Sequence, residues 1–441
     1  MDKIKGKVVK FLKKYQMDHR DIDIETNVKA FLGDMQRGLA GRKSTLEMIP
    51  TYIETDKEIP VNKSVVAIDA GGTNFRVGRV HFDEKKRPVI EDIRVHPMPG
   101  IKEEVSKEQF FEAIAGYIKD LVGNDEKIGF CFSYPTEIYP NKDGRAILLC
   151  KEIKAKQVEG QMVGENLIRA LSAMGIKGNK HIVILNDTVA TLLAGKGSFD
   201  REFGGYIGFI LGTGTNCCYV EKNSNIKKKK DLDLSKGQII NTESGGFGRC
   251  QRGKIDVLLD KTTLDPGVHT FEKMISGAYL GPLCLAVIKQ GAKDGLFASA
   301  TKEGLRNIER LDTKDINDFL YYPAKGNNPL SSALRRGDST DAVATYLLID
   351  RIIRRAAKLT AINLSAMAIK SDTGTDPCRP ICIVAEGTTF HQLKTLKSGV
   401  EYYLKGCLED KNGIFTDIVS VDNATLIGAA IAGLTNYTAY D

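Results

Sequence analysis

The chain has 441 residues, with 63 lysines and arginines against 56 aspartates and glutamates and a net charge of +7. That length exceeds a single core and predicts two or three domains, and 42% hydrophobic with 27% charged residues is ordinary for a soluble globular protein. The slight basic excess suits an anionic substrate such as a nucleotide and is too diffuse to predict a nucleic-acid partner; no apolar run approaches the ~18–20 residues of a membrane helix.

The basic start, MDKIKGKVVKFLKKY, places Ile4, Val8, Phe11, Leu12 and Tyr15 at helical spacing, which predicts a packed amphipathic helix. No apolar signal segment follows it. With nine cysteines and no CxxC, this predicts reduced thiols and a cytoplasmic location. The six histidines form no ligand spacing, so no zinc site is expected. Residues 18–60 read as helix and then turns, ending at Pro60.

The stretch 65–80, VVAIDAGGTNFRVGRV, organises the rest of the chain. A buried strand ends at Asp69, Gly71-Gly72-Thr73-Asn74 turns, and a second strand runs through 75–82. Two glycines between strands let the backbone approach a ligand, and the turn's amides suit phosphate, although neither standard phosphate-loop fingerprint is present. Taken alone, the turn serves equally well as an ordinary hairpin.

A strand over 89–95, a helix over 106–122, a strand over 128–134 ending in Ser133-Tyr134, a helix over 162–174 and a strand over 182–185 come next. The last runs into Asn186-Asp187-Thr188 and a helix from 189. The opening pattern then recurs: strand 206–211, turn Gly212-Thr213-Gly214-Thr215-Asn216, strand 217–220. The repeated Gly-Thr-Asn triplet predicts a duplicated α/β architecture with a cleft between its halves. Lys227–230 reads as a solvated loop tip, and Asn241 to Gly248 as another glycine-dense turn. Helices are expected over 270–290, 340–369 and 424–434, and strands over 381–385 and 418–421. A third turn, Glu386-Gly387-Thr388-Thr389, comes after the first of these strands.

Ligands of open α/β sheets bind beyond the carboxyl ends of the strands. Two glycine turns could grip a polyphosphate, and the third the rest of a nucleotide. Ser133, Asn186, Asp187, Asn216, Asn241 and Glu243 supply the amides and carboxylates that a polyhydroxylated substrate needs. Asp187 is the candidate to take a proton from an attacking hydroxyl, with a plain helix N-cap as its alternative role.

These motifs (IDAGGTNFRV, FCFSYP, ILNDTVAT, FILGTGTN, NTESGGFG, FEKMISGAYLG) resemble the hexokinase family, over nearly the whole chain. The resemblance implies a duplicated actin-like ATPase (ribonuclease H-like) α/β fold of two domains around a central cleft. Residues 61–186 plus 424–441 would form the small domain, and 1–60 plus 187–423 the large one. It implies phosphoryl transfer from ATP to the 6-hydroxyl of a hexose such as glucose, feeding glycolysis, with Asp187 as general base and Mg²⁺ held through water by Asp69. Gly71, Gly72, Thr73, Asn74, Arg76, Gly212, Thr213 and Gly214 would handle phosphates. Ser133, Tyr134, Lys151, Asn186, Asn216 and Glu243 would bind the sugar, and Gly387 and Thr388 the adenosine.

Three departures stand out. Gly281-Pro282 replaces a Gly-Glu pair expected to supply a sugar-binding carboxylate, Leu149-Cys150-Lys151 replaces Trp-Thr-Lys, and Glu386-Gly387-Thr388 replaces Asp-Gly-Ser. Loss of one charged partner costs about 1.5–3 kcal/mol. Weaker glucose binding or a shifted hexose preference is therefore expected, and a regulatory sugar- or nucleotide-binding protein with weak catalysis is the alternative.

Overall fold

The computed structural model describes residues 2–123, 126–149, 153–324, 326–335, 337 and 339–436. Two sheets carry the fold. The first contains β2 (Val65–Gly71), β3 (Asn74–Phe82), β4 (Pro88–Pro97), β5 (Lys127–Phe132) and β8 (His181–Leu185), in the order β4-β3-β2-β5-β8. The second contains β1 (Ile49–Pro50), β9 (Gly205–Leu211), β10 (Thr215–Lys222), β11 (Gly237–Asn241), β12 (Ile381–Glu386) and β13 (Thr416–Val419), in the order β1-β11-β10-β9-β12-β13. Between β5 and β8 lies a small hairpin of β6 (Thr136–Ile138) and β7 (Gly144–Ala146).

The duplication expected from the glycine turns is present in the topology. With the two-residue β1, which pairs at the edge with β11, set aside, the first strand of each sheet pairs antiparallel with the second and the second with the third. The fourth lies parallel to the first on its other side, and the fifth parallel to the fourth. Central β2, β5 and β12 read as unbroken apolar runs because both of their faces are covered.

Two helices fill the space between the sheets. The Asp187–Gly197 helix lies on the second sheet and the Ala424–Thr435 helix on the first, and both belong to one buried apolar cluster. Their small residues allow backbone-to-backbone packing. A Cβ on Gly208 would overlap the Thr188 carbonyl oxygen, one on Gly428 that of Ala190, and one on Gly129 that of Ala429. The chain's two halves are thus stacked through glycine–carbonyl contacts in series.

Several elements differ from the sequence reading. The helix expected over 270–290 is two, Glu272–Ile275 and Gly277–Lys293, broken at Ser276, whose backbone is extended. The break lets the amides of Gly277 and Ala278 donate to the Gly212 and Thr213 carbonyls. The lysine run is not a free tip, because the backbone amides of Lys227 and Lys228 both donate to the Leu39 carbonyl. The N-terminal helix, Asp2–Lys14, packs as expected, burying Val8, Phe11 and Leu12. Among the described residues, no helix is long and apolar enough to cross a membrane.

Gly129→Ala should destabilise the fold by about 1–3 kcal/mol, the usual cost of overpacking. Gly116→Ala, where a Cβ meets nothing within 4 Å, should stabilise the Lys107–Ile118 helix by about 0.5–1 kcal/mol. Denaturant titration of both variants checks this pair, and equal midpoints would contradict it.

Candidate active site

The first glycine turn closes β2 onto β3, with Gly71 opposite Asn74 and Gly72 in the left-handed region at φ 56°. Its carbonyls are held from behind. The Tyr134 hydroxyl donates to the Gly72 oxygen at 3.0 Å, and the Met98 amide to that of Thr73 at 3.0 Å. Because a peptide N–H points opposite to its C=O, the Thr73 amide is turned away from the Tyr134 brace. Gly72, Thr73 and Asn74 are exposed.

Asp69, near the end of β2, is 4% exposed. Its Oδ2 accepts from both Arg76 nitrogens, one of them Nε at 3.0 Å, and from the Thr425 hydroxyl at 2.8 Å. Oδ1 takes none of these bonds. Asp69, Gly71, Ser133, Asp187 and Glu386 line one cleft of about 600 Å³, together with Thr425 from the N-terminus of the last helix. Burial raises the Glu386 carboxyl above its ordinary range.

The second turn is braced in the same way. The Gly212 oxygen accepts from the Gly277 amide at 2.8 Å and the Thr389 hydroxyl at 2.9 Å, and the Thr213 oxygen from the Ala278 amide at 3.0 Å. The amides of Thr213 and Gly214 stay outside these bonds. Gly387, at φ 109°, lies so close to Leu211 that a Cβ there would overlap the Leu211 carbonyl. The second and third turns therefore meet, with Thr388 exposed beside them.

Between the turns stands Asn186-Asp187. Asn186 is the N-cap of its helix, accepting from the Thr188 amide at 3.0 Å. Asp187 is therefore the first helical residue, and its carboxylate lies at a helix N-terminus. It retains an opening onto the cleft but is otherwise enclosed. Burial first, then the charges of Glu243 and Asp69, push its carboxyl up to about 7.

Asn216 connects Asp187's surroundings to the sugar-side residues. Its amide nitrogen donates to Asn241 at 2.8 Å and Glu243 at 3.2 Å, and its oxygen accepts from the Cys217 amide at 2.7 Å. Asn241 also donates to Glu243 at 2.8 Å. Glu243 adopts a left-handed backbone, φ 52°, and lines a second cavity of about 360 Å³ with Glu47, Pro135 and His269. Burial raises its carboxyl too.

Most of the residues singled out from sequence come together around these two cavities. Tyr134, expected to bind sugar, is 3% exposed, and its hydroxyl donates to the Gly72 carbonyl behind the first turn. Lys151 and Cys150 lie outside the described residues. Pro282 is the sixth residue of the Gly277–Lys293 helix, and a largely buried carboxylate, Glu272, lies ten residues earlier. Its Oε2 accepts from the Thr215 amide at 2.9 Å, beside Gly214 and Gly245. Burial raises the Glu272 carboxyl, and its charge helps to raise that of Glu243.

Sequence reasoning missed Glu272 and Thr425. The signal for Glu272 was an acid inside FEKMISGAYLG, in a segment taken for a continuous helix. For Thr425 it was a hydroxyl in the first turn of an otherwise small and apolar helix.

A carboxyl that ionises near 7 in the fold but ordinarily at 3.8 binds its proton more tightly when folded. Stability is therefore lost as pH rises from about 4, where the unfolded chain ionises, to about 7, where folded Asp187 ionises as well. Asp187→Asn lacks this loss. Its melting temperature should exceed that of the wild type, by a gap that widens between about pH 4 and 7 and then levels. A gap that narrows with rising pH in thermal melts would contradict the assignment.

Two hexokinase family models match this chain, over residues 7–196 and 206–435. Hexokinase-2 of Homo sapiens is 29% identical over 420 residues, covering 89% of this chain and 45% of its own length, so the chain spans about half the length of such relatives. Hexokinase-1 of Schizosaccharomyces pombe is 28% identical over 427 residues, covering 91% of this chain and 85% of its own length. The fold is also that of the Schistosoma mansoni hexokinase solved with glucose, with a TM-score of 0.78 at 24% identity over 98% of this chain and 99% of that one. With both halves matched and both glycine turns in place, the chain belongs to the hexokinase family.

Proposed function

We propose that this protein transfers the γ-phosphoryl group of ATP to the 6-hydroxyl of a hexose. The observation that carries the reading is Asp187, a carboxylate poised near neutrality between a braced phosphate turn on one side and an amide–carboxylate network on the other. Asp187 takes the hydroxyl proton while the hydroxyl oxygen bonds to the γ-phosphorus. The bond from that phosphorus to the β–γ bridging oxygen breaks, its electron pair leaving with ADP.

The hexose hydroxyls are met by Ser133, Asn186, Asn216, Glu243 and Glu272. The amides of Thr73, Thr213 and Gly214 face the phosphates, with the Gly387-Thr388 turn on the adenosine side. Mg²⁺ is a hard cation that binds through one or two carboxylates, often with its water shell retained. Asp69 Oδ1, which takes none of the bonds from Arg76 and Thr425, fits that role, and bound Mg²⁺ would neutralise phosphate charge. A division into 61–186 plus 424–441 and 1–60 plus 187–423 puts the first turn on one body and Asp187 with the second turn on the other. Closure of the cleft would then exclude water from the phosphoryl group.

A regulatory role without turnover is the competing reading. It rests on Pro282 and Cys150, and a role for Glu272 on the sugar side would weaken it.

A coupled ATP assay across a hexose panel tests the proposal, and no turnover with any hexose would refute it. Asp187→Asn should abolish turnover while sugar binding persists. The acid limb of kcat/KM should fall below about pH 7, where Asp187 becomes protonated; a limb near pH 4 would reassign the base. Glu272→Gln should raise the hexose KM roughly ten- to a hundred-fold, the equivalent of one lost charged hydrogen bond, and an unchanged KM would remove Glu272 from the sugar site.

A further inference from the structure

Away from the cleft, a concavity of about 1000 Å³ opens between the Ile24–Leu39 helix, the segment after β10 and the end of the Ser339–Ser371 helix. Five cations line it, Lys29, Arg37, Arg42, Lys227 and Lys370, and no carboxylate does. Two of these charges are matched from behind. Arg37 pairs with Asp34 at 2.7 Å, an acid also shared with Arg249, and Lys370 pairs with Glu221 at 2.6 Å. Lys29, Arg42 and Lys227 make no ion pair among the described residues.

Cations gathered in one concavity without a carboxylate reinforce one another's field and raise the local concentration of anions. The fold fixes this cluster. The amides of Lys227 and Lys228 are both tied to the Leu39 carbonyl, so the start of the lysine run is anchored at the rim. Lys228 turns inward and donates to the Glu47 carbonyl at 2.7 Å. Burial lowers its ammonium to about 8. Glu47 in turn lines the sugar-side cavity with Glu243.

The size suits a ligand of small-molecule dimensions. Arginine with several lysines, and the amides of Gln36 and Asn225 beside them, suits phosphate oxygens. We propose that this concavity is a second anion site, separate from the phosphate turns, that binds a small soluble molecule bearing two or more phosphates.

Inorganic tripolyphosphate, titrated calorimetrically into the whole protein at low salt, tests this. The Lys29→Ala/Arg42→Ala/Lys227→Ala variant should lose about one equivalent of binding, or weaken at least tenfold at that site, while keeping any binding at the phosphate turns. A control that removes the same charge from exposed positions in the other half, Lys63→Ala/Lys102→Ala/Lys119→Ala, should bind as the wild type does. Tripolyphosphate binding that is equal in the first variant and the wild type would overturn the proposal, as would equal weakening in the control. Co-sedimentation with vesicles containing a phosphoinositide provides the second arm. Binding to vesicles without binding to tripolyphosphate would assign the cations to a lipid headgroup and overturn the soluble ligand.

Discussion

The molecule depends on backbone contacts that only glycine permits. Thr188 against Gly208, Ala190 against Gly428 and Ala429 against Gly129 link the second sheet, two helices and the first sheet into one stack. The N-terminus of each helix in that stack delivers a side chain to the cleft, Asp187 from one and Thr425 from the other. A shift of even one methyl group in the stack would displace both, since packed interiors transmit strain rather than absorb it. The spacing between the base and the Asp69–Arg76 pair is therefore a property of the helix packing and not of the turns that surround it.

Around that stack the cleft concentrates negative charge. Asp187, Glu243, Glu272 and Glu386 all have carboxyls raised by burial. Asp187 feels the charge of Glu243, and Glu243 that of Glu272, an arrangement whose repulsion a bound cation would relieve. The phosphate-facing side works by the opposite means. There the carbonyls of both turns are tied down by Tyr134, Met98, Gly277, Ala278 and Thr389, which frees amides for an anion. One side gathers carboxylates and the other braced glycine turns, and Asp187 stands between them.

Much of this was legible in the chain. The repeated Gly-Thr-Asn triplet announced a duplication that the two sheets repeat strand for strand, because a tight turn at a strand end demands particular residues wherever it occurs. Asp187 stood out, but its role against capping did not, since both call for a short polar side chain at the same place. Only the observed backbone gives the cap to Asn186. Glu272 was hidden by helical periodicity on either side of Ser276, and the break there arises from hydrogen bonds to a turn some sixty residues earlier in the chain. Tyr134 carries no local signal of its role, because a hydroxyl beside a glycine turn can face a ligand or brace the turn equally well.

The fold class, the two glycine turns and the position of Asp187 at a strand end were all written in the order of residues along the chain. Each rests on local rules of strand periodicity, glycine turns and strand ends, which act over a few residues. Folding in three dimensions was needed to settle which carboxylate holds the Thr215 amide, which hydroxyl steadies Asp69 and where the lysine run is anchored. Those outcomes join residues that are 57, 356 and nearly 190 positions apart in the chain. No local pattern encodes such pairings, because they are set by the packing of whole elements against one another.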